Sequence, residues 1–270
     1  MRTKKEAFRG DILNCHFGKP KCRAYLISPY CRTKKEKKMK REKIEISANI
    51  LKGLFQNVYF INGTAYAGKS TMIKLLAQKY DGICCGENYH DLLTDLIDGV
   101  HQPNLWYLKN CQDWQQFVSR TPQEYAAWIE GCSREAEELE MVLLIRYAGL
   151  GRMVFVDTNL CPETLSRISD YHHVLFLLSD GETAVNRFFE REDREKQFLY
   201  QVLQQSEEKE KAFENYRACL RACNGEENRR VFMESGFRCV WRDENRNIQD
   251  TLKLVERHFG LKQGSGHTER

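Results

Sequence analysis

No run of apolar residues in this sequence approaches the ~20 that a bilayer-spanning helix requires, and the first residues lack the apolar core of a secretory signal. The expectation is therefore a cytoplasmic protein with no membrane partner. No internal repeat recurs along the 270 residues. An Asn-Lys-x-Asp motif, which would specify guanine, is absent, and this counts against a GTPase switch. A disulfide framework is missing too. The eleven cysteines are scattered and odd in number, and Cys84 and Cys85 fall in an apolar run that would bury them. Reduced thiols fit that pattern better than bridges.

What is present is the composition of a globular protein, 41% hydrophobic and 30% charged, long enough for one large domain or two small ones. The net charge of +4 conceals an asymmetry. Residues 1–44 carry 15 Lys and Arg against 4 Asp and Glu, a surplus of +11, so the remaining 226 residues stand at −7. A basic arm of this kind binds nucleic acid or an anionic surface in some proteins. With little apolar periodicity, a solvated, disordered extension is the favoured reading. The other reading takes Met39 as the natural start, with residues 1–38 upstream of it, because the sequence from there leads directly into the domain. The last residues, 262–270, read as a disordered tail.

The rest of the chain is arranged around residues 57–75. Gly63-x-x-x-x-Gly68-Lys69-Ser70 follows the apolar run Val58-Tyr59-Phe60-Ile61 and precedes the helical pattern Thr71, Met72, Ile73, Leu75 and Leu76. Strand, glycine loop and helix in this order make a phosphate-binding loop. Glycines permit the turn, and backbone N–H groups cradle phosphate oxygens at the positive end of the helix. Lys69 reaches the outer phosphates and the Ser70 hydroxyl ligates Mg²⁺. The phosphate cradle is thus expected to comprise Gly63, Thr64, Ala65, Tyr66, Ala67, Gly68, Lys69, Ser70 and Thr71.

In chain order, a short helix over 44–56 precedes the first strand. A second strand, 83–85, ends at Glu87 and leads to a helix at about 91–99. Residues 101–130 hold three of the four tryptophans. Thr121-Pro122-Gln123-Glu124 is a capping box opening a helix that runs to about Tyr147, with Gly131-Cys132-Ser133 as the place where it would break. Strands at 153–157 and 173–178, a Ser179-x-x-Glu182 cap, charged helices to about Ala222, a strand at 237–241 and a helix over 247–259 complete the domain. Apolar strands alternating with helices predict a parallel sheet covered on both faces, with ligands beyond the strands' C-terminal ends.

With the loop after the first strand, Asp157 ending the third and an arginine-bearing helix after the fourth, residues 55–260 resemble the P-loop kinases of small molecules. These include nucleoside monophosphate, shikimate and gluconate kinases and chloramphenicol phosphotransferase. The resemblance implies an α/β, three-layer P-loop NTPase fold with a five-stranded parallel sheet in the order 2-3-1-4-5. It implies ATP and Mg²⁺ as cofactors, Ser70 and Asp157 at the metal, and a small-molecule phosphate acceptor. A domain over 45–261 would carry a helical insertion over 101–150 that covers the acceptor, and a lid over 187–222 whose Arg187 and Arg191 close on the phosphates. The loop 242–247 lies where such kinases hold adenine. Tyr66 departs from the small residue common in these loops, and the acid-x-acid pattern of shikimate kinases is missing at 86–91.

Several residues admit two readings. Glu87 is the first choice for the group that deprotonates the acceptor hydroxyl, with Asp157 as metal-side or acceptor-side partner; Asp91 is a further candidate. Glu87 is equally a helix N-terminal acid. Arg187 and Arg191 share a helix face, where Glu190, Glu192 and Asp193 would also pair with them. The aromatics of 101–130 form either an acceptor pocket or the packing of the inserted helices. His90 reads as a solvated histidine, and Cys219 and Cys223 as thiols without a second ligand pair. The leading function is a kinase acting on a small hydroxyl or phosphate acceptor. The alternative is an NTPase or switch without acceptor. An RNA-end kinase would rest on the basic arm alone, so nucleic acid is not the expected partner.

Overall fold

In the computed structural model, which describes residues 46–190, 194–243 and 245–261, the five apolar runs form one sheet. The strands are β1 (Val58–Gly63), β2 (Ile83–Cys85), β3 (Val154–Asp157), β4 (Val174–Leu178) and β5 (Arg238–Trp241). They pair in the order β2-β3-β1-β4-β5, and every neighbouring pair is parallel. The expected α/β class and strand order are met.

Alternation along each strand builds two cores. Val58 and Phe60 of β1, Val154 and Val156 of β3, and Val174, Phe176 and Leu178 of β4 face one side. There they pack with Leu51 of α1 (Ala48–Leu54), with Leu143 and Leu144 of α5 (Pro122–Ala148), and with Leu165 and Ile168 of α6 (Pro162–Ile168). Tyr59, Ile61, Phe155, Leu175 and Leu177 face the other side. Their partners are Met72, Ile73, Leu76 and Ala77 of α2 (Lys69–Lys79), and Leu252 and Val255 of α11 (Ile248–His258). A sheet buried on both faces has largely apolar strands, as the three central ones, β3, β1 and β4, are. Buried Glu256 joins the two outer helices, accepting from Lys79 Nζ at 2.6 Å and Tyr80 Oη at 3.0 Å.

Between β2 and β3 lie the inserted helices α3 (Pro103–Lys109), α4 (Trp114–Val118) and α5. The Thr121–Glu124 capping box forms as the sequence predicts. The remaining helices are α7 (Gly181–Arg187), α8 (Arg194–Gln204), α9 (Lys209–Cys223) and α10 (Glu226–Met233). A third core joins the helices that precede β3 to those that follow β4. Phe117, Val118 and Tyr125 pack there with Val185, Leu203, Tyr216 and Leu220, and Trp114, Trp128, Phe188 and Phe189 close around them.

Four local expectations fail for identifiable reasons. The helix at 91–99 is instead a 3-10 turn, Tyr89–Leu93, followed by turns. The Asp98 carboxylate accepts from the backbone N–H of Val100 and His101, competing with helical bonding. α5 runs unbroken through Gly131-Cys132-Ser133 for 27 residues. Gly131 marks a close approach instead: a Cβ there would lie 2.4 Å from Asn104 Nδ2. Cys84 is exposed because β2 is an edge strand, whereas Cys85 is buried. Ser179 does not cap α7, whose N-cap is Asp180.

Glu135 of α5 secures α3 by accepting from Asn104 N at 3.0 Å, Asn104 Nδ2 at 2.6 Å and Leu105 N at 2.8 Å. Glu135→Ala leaves those donors at the α3 N-terminus unpaired. Urea unfolding should then show a loss of about 1–3 kcal/mol.

Candidate active site

The turn at the end of β1 is held against β4. Gly63 has φ 125°, and a Cβ there would lie 2.0 Å from the Leu177 carbonyl oxygen. Thr64 N donates to that same oxygen at 3.1 Å. Ser179, following β4, donates its backbone N–H to Thr64 Oγ1 at 2.6 Å and its hydroxyl to Ala65 O at 2.6 Å. Asn62 adds a tie to the loop after β3, donating Nδ2 to Leu160 O at 2.8 Å. The far limb of the loop is held from β5's end, where Arg242 Nη1 donates to Tyr66 O at 2.6 Å. Tyr66 itself sits at φ 63°, a left-handed conformation that costs a non-glycine residue about 1–3 kcal/mol.

Gly68 also has a positive φ, 94°, yet nothing lies within 4 Å of a Cβ built on it. It is the N-cap of α2, so the space it leaves open adjoins the positive end of that helix. Lys69 Nζ bends back over the loop, donating to Thr64 O at 3.0 Å and Gly63 O at 3.3 Å. An ammonium group so placed faces any anion the loop accepts.

Ser70 Oγ donates to Asp157 Oδ2 at 2.8 Å. Asp157 ends β3 with only 2% of its surface exposed. Burial pushes its carboxyl above the usual carboxylate range; Lys69 and the Ser70 hydrogen bond pull it down, while Glu87 and Glu140 push it up. Among the described residues no group of three or more His, Cys, Asp and Glu forms a metal cage. Mg²⁺ needs none, because it binds through one or two protein groups together with phosphate oxygens and water. Ser70 and Asp157 form a donor set of that kind.

A cavity of about 360 Å³ lies over this loop. Its floor is Gly63 and Ala65 through Thr71, with Thr64 buried beneath. Glu87 and Asn159 line its polar part; Tyr125 and Ile129 of α5, Phe188, and Leu220 of α9 line its apolar part. A second cavity, about 270 Å³, shares Ala67, Gly68 and Thr71 with the first and extends to Trp241, Arg242, Asp243 and Arg246. The loop expected to hold a nucleotide base therefore does border a cavity.

The structure thus brings Lys69, Ser70, Asp157 and Glu87 together. It does not bring Arg187 in: that side chain is exposed at the end of α7, and the cavity is lined instead by Lys196 of α8 in addition to Lys69. Arg191 lies outside the described residues. Asp91 is exposed and does not line the cavity. His90 is not solvated; it is buried, with Nδ1 3.5 Å from Glu140 Oε1. The inserted aromatics mostly pack against one another, and Tyr125 alone among those of 101–130 reaches the cavity.

Sequence reasoning missed Glu140, a fully buried carboxylate in the middle of α5. It accepts from Thr158 Oγ1 at 2.7 Å, Tyr89 Oη at 3.2 Å, Asn159 N at 3.0 Å and Asn159 Nδ2 at 2.7 Å. The only available signal was Asn159 itself, two residues beyond the strand-ending acid. Comparison with protein-family models, with curated proteins and with solved structures returns no match.

Two stability measurements check this geometry. Gly63→Ala should destabilise by more than about 3 kcal/mol, since backbone blocks the new methyl group, whereas Gly68→Ala should cost only about 1–2 kcal/mol of left-handed strain. For Asp157, a raised folded-state pKa means a penalty that grows as pH rises through the carboxylate range. Asp157→Asn should therefore stabilise the ligand-free protein near pH 7, and the gain should fade toward pH 4 in urea titrations.

Proposed function

We propose that this chain is an ATP-dependent kinase that transfers the γ-phosphoryl group to a small-molecule acceptor. The observation that carries the reading is the convergence of Lys69, the Ser70–Asp157 pair and Glu87 on one loop-floored cavity. Phosphoryl transfer asks a protein chiefly for positioning and charge neutralisation. The loop N–H groups and the α2 N-terminus hold the triphosphate, and the Lys69 ammonium offsets charge on its outer oxygens. Ser70 and Asp157 would hold Mg²⁺, which would supply positive charge against the phosphate oxygens. Binding the cation also offsets the buried Asp157 charge. The base occupies the cavity bordered by Trp241, Arg242 and Asp243.

On the acceptor side, Glu87 takes the proton of the attacking hydroxyl as its oxygen bonds to the γ-phosphorus and the bond to the β-phosphate oxygen breaks, releasing ADP. Lys196 lines the cavity beside Phe188 and adds positive charge on the lid side.

The test is ADP release from Mg·ATP against nucleosides, nucleotides, sugars, shikimate-like acids and aminoglycoside- or phenicol-type drugs. Acceptor-dependent ADP that vanishes in Lys69→Ala supports the kinase. Glu87→Gln should lower kcat by about 10²-fold or more with little change in ATP affinity. ADP release that no acceptor alters would instead favour an NTPase or switch.

A further inference from the structure

The polar wall of the larger cavity has a chemical bias that bears on its ligand, given the kinase reading. Glu140 is fully buried and, as a carboxylate, can only accept hydrogen bonds. Asn159 lies 2.7 Å from it through Nδ2 and 3.0 Å through its backbone N. A carboxylate so close dictates which end of the amide faces it: the NH₂ must point at Glu140. The Oδ1 carbonyl is thereby turned away from Glu140, on a side chain that lines the cavity. Thr158 Oγ1 and Tyr89 Oη complete the ring of donors around Glu140, so neither its position nor that of Asn159 is free to drift. Beside Asn159 the cavity presents Glu87, also an acceptor of hydrogen bonds; the donor-bearing Lys196 of α8 and Asn224, which follows α9, line it from other elements.

We infer that the cavity selects an acceptor carrying two hydrogen-bond donors on an apolar body, a diol or amino alcohol, with one donor on Glu87 and the second on Asn159 Oδ1. The apolar body lies against Tyr125, Ile129, Phe188 and Leu220. An acceptor presenting a carboxylate or phosphate to this wall would set its charge against Glu87 and lone pairs against Asn159. In this arrangement Asn159 is a specificity-determining residue and Glu140 a positioning residue that acts through it. A buried hydrogen-bonding group discriminates strongly against a ligand lacking its partner, whereas apolar walls discriminate weakly.

The experiment uses the full chain with Mg²⁺ and a non-hydrolysable ATP analogue. Dissociation constants are measured for 1-phenylethane-1,2-diol and for 2-phenylethanol, which lacks one donor. The diol should bind about tenfold more tightly, the worth of one buried hydrogen bond. Asn159→Ala should erase that preference. Glu140→Gln should erase it too, because a glutamine no longer dictates which end of the Asn159 amide faces the cavity. Asn159 is only half-buried, so its variant keeps the test open if Glu140→Gln fails to fold. Equal binding of the two alcohols, a preference that survives Asn159→Ala, or no binding of either would overturn the inference. The kinase reading fails separately, through ATP-analogue affinity that is indifferent to Lys69→Ala.

Discussion

The passage of the Gly63–Thr64 turn across the Leu177 carbonyl is the constraint on which the site depends. No side chain fits at Gly63, and the first N–H of the loop is already committed to that carbonyl. The loop therefore leaves β1 in one direction only. Ser179 and Arg242, placed by β4 and β5, then grip its two limbs. Parallel strands with their C-terminal ends together are what bring these residues to one place. The rest of the loop and the opening of α2 line the cavity, where an anion would meet them.

Electrostatics divide the site into halves. Lys69 and the α2 N-terminus make the loop side positive. Asp157, Glu87 and Glu140 make the opposite side negative, and their mutual repulsion helps keep the buried Asp157 carboxyl above its ordinary range. Such a pair of faces is balanced best when phosphates and a divalent cation lie between them. Glu140 differs from the other two because its charge is absorbed by protein donors, which makes it a structural fixture of the wall.

Much of this was legible in the sequence. Five apolar runs alternating with helices pointed to a parallel sheet, the strand order came from the resemblance to P-loop kinases, and Asp157 stood out as an acid ending an apolar strand. The Thr121–Glu124 capping box lies within four residues and formed as read. What escaped were contacts between remote positions. Glu140 is one of several glutamates on α5, and only the folded chain shows which one meets Tyr89 and Thr158. Ser179 looked like a helix cap because its bond to Ala65 spans 114 residues of sequence. His90 looked polar and exposed for the same reason, since the burying helix α5 begins far along the chain. Arg187 was assigned to the phosphates by the resemblance; its spacing from Arg191 fixes a shared face but not the direction in which the helix presents it.

Equilibrium binding of ATP with and without Mg²⁺, by calorimetry, asks whether the Gly63–Thr71 loop holds a triphosphate. ATP should bind, and Lys69→Ala should weaken that binding by about 100-fold or more, equivalent to roughly 3 kcal/mol. The Mg²⁺-dependent part of the affinity should disappear in Ser70→Ala. Absence of ATP binding, or binding untouched by either substitution, would show that the loop is not a nucleotide site.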